Sequence, residues 1–104
     1  MKISILLPYK ENYSENYPGA VSIFISSVIK KSVFKNNITV YGSTRFKNIL
    51  SKNYVNIKLD KNLFSSQTKT YLANFKNLLS KKDTDLIEIH NRPNYIYSLI
   101  DLKK

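Results

Sequence analysis

The chain contains no cysteine. Disulfides, thiolate-bound metals and a cysteine nucleophile are thereby excluded, and the absence fits a reducing cytoplasm. Glycine occurs only as Gly19 and Gly42, too few to write either the Gly-x-Gly-x-x-Gly dinucleotide fingerprint or the P-loop pattern. Histidine occurs once, as His90, and no His, Asp or Glu cluster has metal-ligand spacing. Neither a metal nor a cofactor is expected. Long apolar runs are also missing. The apolar stretch in Met1 to Pro8 is shorter than the roughly seven to fifteen residues of a signal-peptide core, and nothing approaches the eighteen or so of a transmembrane helix. A soluble or peripheral protein is expected.

Acidic residues are scarce, seven against seventeen Lys plus Arg, for a formal net charge of +10. The excess is lysine, Arg45 and Arg92 being the only arginines, and it is accompanied by abundant Asn, Ile, Tyr and Phe, as an AT-rich coding sequence produces. Lysine lacks the bidentate fork used for base readout, so specific nucleic-acid binding is not expected. Weak attraction to acidic lipid headgroups at the inner face of a membrane is compatible with the charge. With 42% hydrophobic and 12% aromatic residues the chain has the apolar surface that disordered segments lack. Its 104 residues suit one domain, 1–104.

Lys2 to Leu7 forms an apolar run broken only by Ser4, the pattern of a strand covered on both faces. The loop from Pro8 to Gly19 exceeds the two to six residues or so common between strand and helix, and long ordered loops are often functional. Ala20, Val21, Phe24, Ile25, Val28 and Ile29 then recur at helical spacing, predicting an inner face, with Lys30, Lys31 and Lys35 near the negative end of the helix dipole. Ile38 to Gly42 predicts a second strand, and Thr44 the cap of a short helix turning Phe46, Ile49 and Leu50 inward. Val55, Ile57 and Leu59 predict a third strand with one polar face. Ser65 or Ser66 is the expected cap of a helix with the stripe Tyr71, Leu72, Phe75, Leu78 and Leu79. Asp85 to His90 predicts a fourth strand, and Pro93 suits the first turn of a last helix carrying Tyr95, Ile96, Leu99 and Ile100. Asn12-Tyr13-Ser14 and Asn37-Ile38-Thr39 match the glycosylation pattern as chance matches in an Asn-rich chain.

Strand and helix in alternation imply right-handed crossovers and a parallel sheet. The expected fold is α/β, a Rossmann-like doubly wound sheet of about four strands in the order 3-2-1-4. That order places the first and fourth strands side by side, so the loop ending at Gly19 and the segment Glu88 to Pro93 face each other at the switch-point crevice. Gly19 stands before a helix whose free amides favour an anion. His90 offers an imidazole at the end of a strand, with Glu88 on the same face to orient it. Arg92 suits phosphate or carboxylate, and Tyr9, Tyr13 and Tyr17 offer flat faces to sugar rings. Each also has a structural reading, as a turn, a core histidine, a solvated cation and ordinary packing.

Pro18-Gly19-Ala20-Val21 before a helix, together with Asp85-Leu86-Ile87-Glu88-Ile89-His90-Asn91-Arg92-Pro93, resembles the N-terminal domain of family 4 glycosyltransferases, which have the GT-B fold. The resemblance covers essentially the whole chain, although many relatives carry Gly-Gly where this chain has Gly19-Ala20. It implies a sugar transfer from a nucleotide-sugar donor to a glycan or lipid-linked acceptor, with His90 catalytic and Gly19, Ala20, Asn91 and Arg92 against substrate. It implies as well a partial, acceptor-side domain, inactive without a C-terminal donor-binding domain, with an exposed apolar edge at the fourth strand. The alternative from composition and topology alone is a non-catalytic nucleotide- or phosphate-binding module.

Overall fold

In a computed structural model the described residues are 1–44, 48–57, 67–82, 84–90, 92, 94 and 95. They form strand β1 (Ile3–Leu6), helix α1 (Ala20–Lys31), a 3-10 turn (Lys35–Asn37), strands β2 (Ile38–Gly42) and β3 (Tyr54–Asn56), helix α2 (Gln67–Leu79) and strand β4 (Leu86–Ile89). The strands make one sheet in the order β3-β2-β1-β4, with every pairing parallel. The fold is α/β and Rossmann-like. β1 is buried on both faces because it lies between β2 and β4 and under both helices, which is why its apolar run is continuous.

Alternation along β1 and β2 divides the core into two layers. Ile3, Ile5 and Val40 join Ile25 and Ile29 of α1 on one face, whereas Leu6 and Tyr41 join Tyr71, Phe75 and Leu79 of α2 on the other. The start of β4 is tied to β1 by local polar contacts. The Lys2 amide donates to the Asp85 carboxylate at 2.7 Å, and the Ser4 and Thr84 hydroxyls lie 2.9 Å apart. Among the described residues β4 pairs on one side only, and its Leu86 is 40% exposed.

Three expectations need correction. First, Val21, Ile25 and Ile29 of α1 pack inward as expected, but the helix also buries Ser22 and Ser26 and leaves Ala20, Phe24 and Val28 exposed. The buried set Ser22, Ile25, Ser26 and Ile29 is thus rotated about the helix axis from the set that apolar periodicity selects. Second, Ile49 and Leu50 are not helical. They pack inward as expected, but as an extended segment bridged antiparallel to the loop after β1 through Ser14 and Ile49. The Thr44 hydroxyl accepts from the Tyr13 amide and from the Tyr54 hydroxyl, both at 2.9 Å, and the amides that a cap there would serve lie outside the described residues. Third, β3 is Tyr54–Asn56, with Ile57 buried just beyond it. Phe46, Leu59, the Ser65 or Ser66 cap, and Pro93, Ile96, Leu99 and Ile100 of the expected last helix lie outside the described residues, whereas Tyr95 is buried.

Candidate functional site

In a parallel sheet every strand ends at the same rim, so the segments following β1 and β4 open side by side there. The pairing Leu6 with Ile89 is the last register position between them. The loop from Pro8 to Gly19 and His90 therefore share the carboxyl-terminal rim. The loop is an ordered structure. Lys10 donates its amide to the Ser43 hydroxyl, Glu15 donates to the Asn48 carbonyl at 2.9 Å, and the Leu50 amide donates to the Tyr13 carbonyl.

The three loop tyrosines have different fates. Tyr13 is fully buried, stacked on Tyr54 with ring centroids 5.5 Å apart, and its hydroxyl meets that of Ser51 at 2.8 Å. Desolvation raises its pKa above the ordinary tyrosine value, an effect opposed by the Ser51 contact. Tyr13 is thus a core residue, and its expected role as a sugar platform is withdrawn. Tyr9 is half-buried against Tyr71, and its amide donates to the Tyr95 hydroxyl at 3.2 Å. Tyr17 is 81% exposed in a left-handed backbone conformation, φ 49°.

Gly19 caps α1 from an extended conformation, φ −75° and ψ 162°, so its backbone makes no demand for glycine. Space makes the demand. A Cβ at Gly19 would run into the Glu11 carboxylate, whose Oε2 accepts the Ser22 amide of the first helical turn at 3.0 Å. Glu11 thus supplies the negative charge that the amino end of a helix favours. The close approach that a missing side chain permits is made here by the chain's own carboxylate. No sequence rule flagged Glu11, because no capping motif connects residues eleven positions apart. Removing the contact gives a measurable loss. Glu11→Ala is expected to lower stability by about 1 kcal/mol, the worth of a cap, and Gly19→Ala by a similar amount because it displaces the same carboxylate. The double variant should lose little more than either single one, a comparison read from urea midpoints.

His90 follows β4 directly. Its Nε2 is 3.4 Å from Glu88 Oε2, with the imidazole 26% and the carboxylate 45% exposed. The pair is within charge-pairing reach but out of hydrogen-bond alignment, and Nε2 is shielded from water without a hydrogen-bond partner. The expectation that alternation brings Glu88 to His90 thus matches the geometry. A buried ring nitrogen without a partner is uncommon in a core and is the kind of group that a ligand hydroxyl satisfies.

No family model, curated protein or solved structure matches the chain.

Ala20 is exposed at the start of α1, and Arg92 is exposed beyond His90; Asn91 lies outside the described residues. Among the described residues no group of three or more His, Asp or Glu side chains could hold a metal ion, and no helix is long and apolar enough to cross a membrane. Two clefts of about 480 and 430 Å³ lie at the opposite, amino-terminal rim, where lysines rather than His90 line them. The carboxyl-terminal rim thus presents an oriented imidazole and an acid-capped helix, a pairing suited to contacting hydroxyls more than to gripping an anion.

Proposed function

We propose that this chain forms the acceptor side of a glycosyltransferase that moves a sugar from a nucleotide-sugar donor to a glycan or lipid-linked acceptor. The donor is held in this reading by a second Rossmann-like domain. The observation that carries the reading is the shielded, unpartnered Nε2 of His90 beside Glu88 at the end of β4. The strand order supports it, because β1 and β4 are neighbours and doubly wound sheets bind ligands beyond the carboxyl ends of strands at such a junction. A neutral imidazole accepts a hydrogen bond from a sugar hydroxyl, and an imidazolium donates one where negative charge develops. The Glu88 carboxylate, 3.4 Å from Nε2, lies against the ring and gives it a fixed neighbour.

Because the Glu11 carboxylate already stands at the amino end of α1 and accepts the Ser22 amide, this reading gives Gly19 and Ala20 a place beside the acceptor rather than a grip on the donor phosphates. Arg92 remains the candidate for the donor's charged part. Since His90 is the only histidine, its imidazole resonances serve as a probe that needs no assignment. Titration with neutral oligosaccharides is expected to move these resonances, and inorganic phosphate alone should leave the amides of Ala20 to Ser22 unmoved. The reverse pattern, phosphate shifting those amides while no glycan reaches His90, would replace this reading with the non-catalytic phosphate-binding module.

A further inference from the structure

Helix α1 is apolar on both sides. Its inner face holds Ile25 and Ile29, yet its outer arc exposes Ile23 by 51%, Phe24 by 61% and Val28 by 49%, and the following turn exposes Val33 by 91% and Phe34 by 43%. Ala20, Phe24 and Val28 recur every four residues, so they form one stripe along the helix. A helix of this kind in a globular protein is normally covered, and contiguous exposed apolar surface of this sort marks an interaction site.

The surroundings indicate what covers it. Between Glu15 and Asp60 the sequence has seven basic residues and no acidic one. Lys30 and Lys31 end the helix, and Lys30, Lys35 and Lys52 line a cleft of about 430 Å³ beside that end. An apolar stripe bordered by lysines on a convex helix is the arrangement of interfacial helices, whose aromatic and aliphatic side chains enter the headgroup boundary while the cations pair with lipid phosphates. A second copy of the chain is a poor occupant, because each copy carries a formal charge of +10 and the lysines would face one another.

We propose that the outer face of α1 docks this protein onto a bilayer surface rich in anionic lipid, with Phe24 and Val28 inserted and Lys30, Lys31 and Lys35 against the headgroups. The inference stands on α1 and the turn that follows it and is independent of the sugar-transfer reading.

The chain has no tryptophan, so Phe24→Trp places one fluorophore at the centre of the stripe. With vesicles of phosphatidylglycerol and phosphatidylcholine its emission is expected to shift to the blue, and the natural chain should float with those vesicles. Pure phosphatidylcholine vesicles or high salt should reduce flotation at least tenfold. The double variant Phe24→Ser with Val28→Ser should also lose at least tenfold in flotation while melting at the temperature of the natural chain, because both residues are exposed. Absence of flotation would overturn the proposal. So would undiminished flotation of the serine variant, which would reduce the effect to adsorption by lysine. Sedimentation that shows a lipid-free dimer dissolved by the same two substitutions would assign the face to a second copy instead.

Discussion

Tyr71→Ala is expected to lower the free energy of unfolding by about 3–5 kcal/mol, the range for truncating a large buried aromatic. Tyr71 is fully buried in the layer formed by Leu6, Tyr41, Phe75 and Leu79, and packs against Tyr9 at 5.5 Å between ring centroids. Its hydroxyl donates to the Leu7 carbonyl at 2.6 Å, linking α2 to the chain just after β1. Tyr71→Phe keeps the ring and removes that donor, at an expected cost of about 1–3 kcal/mol. The two variants separate packing from hydrogen bonding in one set of urea midpoints. They also differ from the natural chain in alkali. Burial, reinforced by Tyr54 and Tyr95, raises the pKa of Tyr71 far above the ordinary value of 10.0. In the unfolded chain the phenol ionises near that ordinary value, so above it the unfolded state holds fewer protons than the folded one. Its contribution is therefore complete below about pH 10 and declines above it, by about 1.4 kcal/mol per pH unit for one group. Tyr13, Tyr41 and Tyr54 are raised in the same direction, chiefly by desolvation, so the natural chain should weaken steeply in alkali. The Tyr71→Phe curve should fall less steeply, by one group's share. Parallel curves over pH 8 to 11 would show that Tyr71 ionises freely in the folded protein, contrary to its burial.

The parts of this fold that could be read from sequence are those where one physical rule acts alone. Ile38–Gly42 was expected and found as a strand, because β-branched and aromatic residues there meet no competing local chemistry. The order β3-β2-β1-β4 is that of the common doubly wound sheet, expected from the alternation of strand and helix without reference to any side chain. Reading failed where a long-range contact decided the outcome. Apolar periodicity on α1 selects Phe24 and Val28, yet Ser22 and Ser26 are the residues buried, and the Ser22 amide is held by Glu11 of the preceding loop. The Thr44 hydroxyl accepts the amide of Tyr13, thirty-one residues earlier, a contact that no local rule anticipates. At the candidate site, alternation was enough to bring Glu88 beside His90. The Glu11 carboxylate on α1 depends on the course of an irregular loop, for which sequence periodicity has no counterpart.

The proposed sugar transfer makes its largest prediction at His90. In an assembly of this chain with a nucleotide-sugar-binding domain, His90→Ala is expected to cut turnover by about a hundredfold or more, the scale of one lost acid–base or electrostatic contact. Stability should barely change, because Nε2 makes no hydrogen bond that the folded chain would lose and the ring is 26% exposed. Glu88→Gln should reproduce a smaller part of the loss in turnover, since it keeps the ring's neighbour and removes only its charge. A histidine that merely packs behaves in the opposite way. Its removal would lower stability by about 1–3 kcal/mol, and the protein that remained folded would turn over normally. Melting temperature and specific activity measured on one preparation separate these outcomes. A lowered melting point with undiminished turnover would remove His90 from the reaction and, with it, the observation on which the acceptor-side reading rests.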